Sequence, residues 1–179
     1  MTMQTLADQI TVASARCALR PLRPSDAGLL AMYMGDERVA RATQTIPHPL
    51  PPGTTEAFIA RAGAPQRDLD IWAMDGTAQG LPDLLGVIAL GRMDRAQSEI
   101  TYWVAPAFWN TGLATDAVRA LVEARPQGAR TVFGAVFQDN PVSARVLTNS
   151  GFTYLGDAES YCVARGGMVP TWTYARTLA

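Results

Sequence analysis

Residues 97 to 137 read "QSEITYWVAPAFWNTGLATDAVRALVEARPQGARTVFGAVF": a strand, a glycine turn, an amphipathic helix and a second strand. Two strands joined through a helix can share a sheet only as a parallel crossover. This one segment sets aside all-α and all-β folds. The residues before it restrict the chain further. "LDIWAM", "LLGVIALGRM" and "SEITYWVAP" are joined by short turn-rich connections such as "DGTAQGLPD", which predicts an antiparallel meander. A meander feeding a parallel crossover gives a mixed sheet, and the expected class is α+β.

The other segments supply the helices. "RCALRPLRPSDAGLLAMYMGDE" predicts a strand through Cys17, Leu19 and Leu22 that stops at Pro24. A helix follows, with Ser25 as its N-cap, Leu29, Leu30 and Tyr33 on one face and Gly35 near its end. "TIPHPLPPGTTEAFIARA" begins as a proline-stiffened loop, after which Thr54 or Thr55 opens a second helix that buries Phe58 and Ile59. Ala114, Ala117, Val118, Leu121 and Val122 keep the spacing of one buried helical face. "RTVFGAVF" is almost wholly apolar, as expected of a strand covered on both faces. "DNPVSARVLTNSGF" predicts a helix capped by Asn140, with Pro141 first, Val142, Val146 and Leu147 inward, and Gly151 ending it. The tail reads as a hairpin around Gly166 and Gly167. A length of 179 residues suits one domain over 1–179, with 1–13 as a polar leader.

Composition narrows the chemistry. A formal net charge of −1 provides no general field to attract nucleic acid or an anionic membrane. All 15 basic residues are Arg, so Schiff-base and lysine-nucleophile mechanisms are excluded. Cys17 and Cys162 stand alone, outside any CxxC pair or His cluster, so no metal is expected and both read as buried hydrophobes of a reducing cytosol. The opening lacks a signal-peptide pattern, and no apolar run nears the ~20 residues that span a bilayer. A soluble cytoplasmic protein is the expectation. Met32, Met34, Met74 and Met93 read as packing material.

The candidate site lies at the start of the crossover helix. Its first backbone N–H groups lack partners within the helix, and the aligned peptide dipoles leave positive charge there. Gly112 permits close approach and the small Ala114 and Thr115 leave it open. Asn110, Thr111, Gly112, Leu113, Ala114 and Thr115 are therefore a candidate phosphate cradle. The plain alternative is a tight turn into an ordinary helix.

"LRPLRPSDAGLL", "TYWVAPAFWNTGLATDAVRALV" and "NPVSARVLTNSGF", in that order, resemble the GNAT superfamily of acetyl-CoA-dependent N-acetyltransferases, and within it the RimJ/RimL-type ribosomal-protein N-terminal acetyltransferases. The pyrophosphate motif Gln/Arg-x-x-Gly-x-Gly/Ala falls on Trp109 to Ala114. Trp109 departs at the first position, and Asn110 stands where this branch often has Gly. The resemblance implies a sheet splayed between its fourth and fifth strands, where the backbone of Tyr102, Trp103 and Val104 pairs with the pantetheine arm of CoA. Thr101 stands where the family often has Gly, so the local bulge is expected to differ. The side chains of Tyr102 and Trp103 read as packing.

Asn140 and Ser143 match the family's Asn-x-x-Ser, in which Asn holds the CoA arm and Ser lies near the thioester sulfur. The structural alternative is an N-cap and a first-turn serine. Leu147 occupies the position of a Tyr general acid in many relatives, which excludes that route. Glu99 is the implied proton acceptor, directly or through water. An N–H near Val104 would stabilise the thioester oxygen, and Ser143 would serve the departing thiolate. His48 and Asp94 are weaker candidates, read first as exposed loop residues.

The implied reaction is direct attack of a primary amine on acetyl-CoA in a ternary complex, with no metal. A peptide or protein N-terminus is favoured as acceptor, since an α-amine near ~8 is far easier to deprotonate than a lysine near ~10.4. A small amine such as an antibiotic, polyamine or amino acid is the second reading, and a non-catalytic acyl-CoA-binding module the third. A long groove beside "IPHPLPP" would favour a peptide, and a closed acidic pocket a polyamine. A homodimer is left open.

Overall fold

The computed structural model describes residues 9–179. The first eight residues of the expected polar leader lie outside that range. Strands β1 (Val12–Ala13), β2 (Ala18–Pro21), β3 (Leu69–Asp75), β4 (Gly86–Met93), β5 (Gln97–Val104), β6 (Thr131–Phe137), β7 (Thr153–Cys162) and β8 (Gly167–Thr177) form one sheet in the order β1-β2-β3-β4-β5-β6-β8-β7. Every pairing is antiparallel except β5 with β6, which are parallel and joined through helix α4 (Leu113–Ala124). The meander, the crossover and the terminal hairpin all form as expected. The class is mixed α/β.

The sheet has two covered faces because its strands alternate. In β3, Ile71 and Ala73 point to one core while Trp72 and Met74 point to the other. The first core belongs to α1 (Ala27–Met34), α2 (Glu37–Arg41) and α3 (Thr54–Ala62), through Leu30, Val39 and Ala62. The second belongs to α4 and α5 (Pro141–Asn149), through Val118, Leu121 and Leu147.

Several local expectations are corrected. Ser25 is exposed and caps nothing: Pro24–Asp26 forms a 3-10 turn, and the Asp26 carboxylate accepts the Arg23 N–H at 2.9 Å. Asp26 takes this place because Arg20 also pairs with it at 2.8 Å, holding it buried. Helix α2 had no signal beyond Asp36, whose side chain accepts the Arg38 N–H. Phe58 and Ile59 are only half-buried, because α3 turns Thr55 and Ala62 to the core. Val142 is exposed rather than inward, with Ala144 and Leu147 facing the sheet. Met34 and Met74 pack in the cores, whereas Met32 and Met93 are exposed. In β6 the buried Val132, Gly134 and Val136 alternate with half-exposed Thr131, Phe133 and Ala135, so only one face is fully covered.

The splay lies between β5 and β6, the fourth and fifth strands once the short β1 is set aside. They pair at Gln97↔Thr131, Ser98↔Val132 and Glu99↔Phe133 and no further, while β6 continues against β8 up to Phe137↔Thr171. Leu147 of α5 marks the fork: a Cβ at Gly134 would lie 3.0 Å from its Cδ1 and 3.4 Å from Ile100. The absence of a side chain at Gly134 lets α5 descend onto the parting strands.

Candidate functional site

The parting of β5 from β6 exposes peptide groups on a known side of β5. The Ala105 N–H bonds the Leu85 carbonyl across to β4, and the Arg130 N–H bonds the Ala96 carbonyl on the β6 side. Strict alternation then turns the peptide groups of Glu99, Thr101 and Trp103 towards β4 and those of Ile100, Tyr102 and Val104 into the fork. Of the three residues named for backbone pairing, Tyr102 and Val104 face the gap and Trp103 faces β4. Ile100 joins them, a residue the resemblance did not mark. The Val104 carbonyl already accepts the Trp109 indole N–H at 2.7 Å, leaving its N–H on the open side.

Side chains alternate as well. Glu99, Thr101 and Trp103 point towards the α1–α3 face, where a cavity of about 460 Å³ is lined by Phe58, Ile71, Phe137, Gln44 and Arg61 among others. Glu99 is the one carboxylate among its described lining residues. Trp103 is held edge-on by Tyr33, with ring centroids 6.3 Å apart. Pro47 reaches this cavity but His48 does not, being exposed beside it, and Asp94 lies in an exposed turn.

A groove of about 970 Å³ runs on the other side of Tyr102, along Phe108, Trp109 and residues 110–115 to α5. It contains every residue of the expected cradle. Gly112 has φ +78° and is the N-cap of α4 without any side-chain cap. The first helical bond is Asp116 N–H to the Gly112 carbonyl at 3.1 Å, so the amides of Leu113, Ala114 and Thr115 have no acceptor within the helix. Asn110 also adopts positive φ, +60°, the conformation for which Asn is the best tolerated substitute for Gly. The departure from the family's usual residue thus preserves its backbone shape. Asp116 points away from the groove, accepting the Ser14 hydroxyl at 2.5 Å and the Arg16 N–H at 2.9 Å, which ties the helix start to the β1–β2 turn.

Four arginines rim the groove. Arg38 pairs with Asp36 at 2.7 Å and lies 5.7 Å from the centre of the Trp109 ring, while Arg165 pairs with Asp139 and bonds the Arg41 carbonyl. The guanidinium groups of Arg41 and Arg145 make no hydrogen bond or ion pair among the described residues. No sequence pattern singled out these cations, since loops and separate helices bring them together.

Cavity and groove meet at Ala42, Tyr102, Trp103, Asn140 and Ser143. Asn140 precedes α5 with φ −124° and ψ 69°, and its side chain caps no helical amide. Its amide is thus available to the junction. Ser143, one turn on, has its carbonyl 2.9 Å and its Oγ 3.0 Å from the Tyr102 hydroxyl. Burial pushes the Tyr102 phenol far above its usual range, offset only in part by the bond to Ser143. It stays neutral at any ordinary pH. From the sequence this side chain reads as packing, because strand alternation shows its face but not what stands opposite.

A sheet opened beside a glycine-capped helix thus leaves a groove and a cavity that adjoin at one junction, with Glu99 lining the cavity. Residues 16–153 match the family model for the Acetyltransferase (GNAT) domain, and the chain belongs to that family. It is an N-acetyltransferase whose donor is acetyl-CoA. No curated protein sequence matches the chain. Similar solved structures include Mycobacterium smegmatis RimJ in complex with a CoA disulfide, at TM-score 0.80 and 19% identity over 94% of this chain and 88% of that one. The microcin C7 self-immunity acetyltransferase MccE, in complex with acetyl-CoA and AMP, aligns at TM-score 0.79 and 15% identity over 92% and 93%. Vibrio cholerae spermidine N-acetyltransferase, with CoA and spermine, aligns at 0.75 and 12% over 91% and 96%. At these identities the likeness is one of fold.

Proposed function

We propose that this acetyltransferase acts on the α-amine of a peptide or protein N-terminus bearing a compact apolar side chain, as in the RimJ/RimL-type branch. The observation that carries the reading is the cavity beside Glu99: mostly apolar, with Glu99 the one carboxylate and Arg61 the one cation among its described lining residues. A polycation would need several carboxylates, so the polyamine reading finds no support there. Arg61 does favour one second reading, a free amino acid whose carboxylate it would pair.

Bound acetyl-CoA supplies the activated acetyl group. The α4 amides, with Arg41 and Arg145, would take the phosphates. The fork-facing peptides of Tyr102 and Val104 would order the pantetheine arm, assisted by Asn140. Glu99 accepts the amine proton, directly or through water, and the Val104 N–H faces the charge that develops on the thioester oxygen. Ser143 donates to the departing sulfur. Both buried cysteines are free thiols, which suits a reducing compartment such as the cytoplasm.

The test is thiol release from acetyl-CoA with purified protein, offered N-terminal peptides of varied first residue, free amino acids and spermidine. Turnover with peptides of small or apolar first residue is expected, and turnover with spermidine alone would overturn the acceptor assignment. Glu99→Gln is expected to lower kcat about 100-fold, within the usual range for a lost general base, with CoA affinity by calorimetry unchanged.

A further inference from the structure

The geometry points to Tyr102 as a positioning residue that aims the Ser143 hydroxyl at the departing sulfur, an inference that rests on the role proposed for Ser143. The argument is one of hydrogen counting. A phenol has one hydrogen, and here two acceptors compete for it, the Ser143 carbonyl at 2.9 Å and Oγ at 3.0 Å. If the hydrogen goes to the carbonyl, the phenolic oxygen accepts the hydrogen of Ser143, which is then tied up in that bond and withheld from any other acceptor. If it goes to Oγ, Ser143 keeps its own hydrogen free for a third partner.

The second arrangement costs little. The Ser143 carbonyl lies in the first turn of α5, where it retains its helical acceptor role towards Leu147. An electron-rich sulfur at the junction selects this arrangement, because donation by Tyr102 makes Oγ–H a stronger donor along the chain of bonds. As the carbon–sulfur bond breaks, its electron pair passes to sulfur and the proton of Ser143 Oγ follows, giving the thiol. The attacking nitrogen has by then lost its first proton to Glu99, and the second, shed as the tetrahedral adduct collapses to the amide, replaces the one that Oγ gave up. Tyr102 ends as it began, neutral, consistent with a phenol that its burial keeps from ionising.

Among the described residues at the junction of cavity and groove, Tyr102 from β5 is the only phenol. The two hydroxyls approach from opposite walls and meet at α5.

Tyr102→Phe keeps the ring and its packing and removes only the hydroxyl. It is expected to lower kcat roughly 10- to 100-fold, the range of a hydrogen bond to a charged group, with KM for acetyl-CoA and the melting temperature little changed. In a Ser143→Ala background the same change should have no further effect, since the tyrosine acts through the serine. A second measurement avoids turnover. The thiol of bound CoA, titrated by the ultraviolet absorbance of its thiolate, should ionise at lower pH in the wild-type protein than in Tyr102→Phe. Full activity of Tyr102→Phe beside an impaired Ser143→Ala would overturn this inference alone, as would equal losses in both backgrounds. An active Ser143→Ala would instead remove the role of Ser143 on which it rests.

Discussion

Gly112 carries the sharpest demand placed on any one residue of the groove. Its φ of +78° suits glycine, and an added Cβ would meet the Arg16 guanidinium at 3.3 Å. Gly112→Ala should therefore cost roughly 1–2 kcal/mol from the left-handed backbone, and relaxation of the turn would misdirect the amides proposed to take the phosphates. Calorimetry with CoA is expected to show at least a tenfold loss of affinity in a protein that still folds. Asp70 illustrates a residue that serves stability instead. Burial pushes its carboxyl up, yet bonds from Gln127, Arg92 and Arg67 outweigh this and hold it below its ordinary value of 3.8. A depressed folded-state value stabilises the native protein above the unfolded value and loses that contribution as pH falls through the folded one. Asp70→Asn should cost roughly 1–3 kcal/mol in denaturant titrations near neutrality, by stranding its donors, and the deficit should shrink in acid below pH ~4.

The fork between β5 and β6 shows what one element contributes to another. Gly134 allows Leu147 to settle between the strands, and Ser143 sits one turn earlier on the same helix. Gly134→Ala should cost about 1–3 kcal/mol through overpacking, and it should also lower kcat by displacing Ser143, a pairing of effects that chemical denaturation and steady-state rates would reveal together. The elements themselves were legible in the sequence wherever periodicity ran long enough. The meander, the crossover and α4 announced themselves through repeated apolar spacing, and the glycine turn through its position before a helix. Helix α2 did not, since five residues make barely more than one turn. Nor did the outward face of Val142, because Pro141 and Asn140 fix where α5 begins but not how it rolls against the sheet. The wall of the groove from Asn110 to Thr115 could be read because its residues are consecutive. The cavity could not, because Phe58, Arg61, Glu99 and Phe137 come from α3, β5 and β6 and become neighbours only when the sheet is assembled.

For the molecule as a whole, the stable part and the working part are divided between the same strands. Both cores cover the sheet, and Leu121, Leu147 and Ile88 are wholly buried, so Leu121→Ala is expected to cost about 2–5 kcal/mol in denaturant midpoint while leaving KM for acetyl-CoA unaltered. The working part needs the sheet to be incomplete. Cavity and groove share Tyr102, Trp103, Asn140, Ser143 and Ala42, and the rest of each is lined by residues of its own. With donor and amine placed in them as proposed, two guests arriving by separate doors need not queue. Initial-rate plots should then intersect, and a CoA product left in place should compete with fresh donor without competing for the amine.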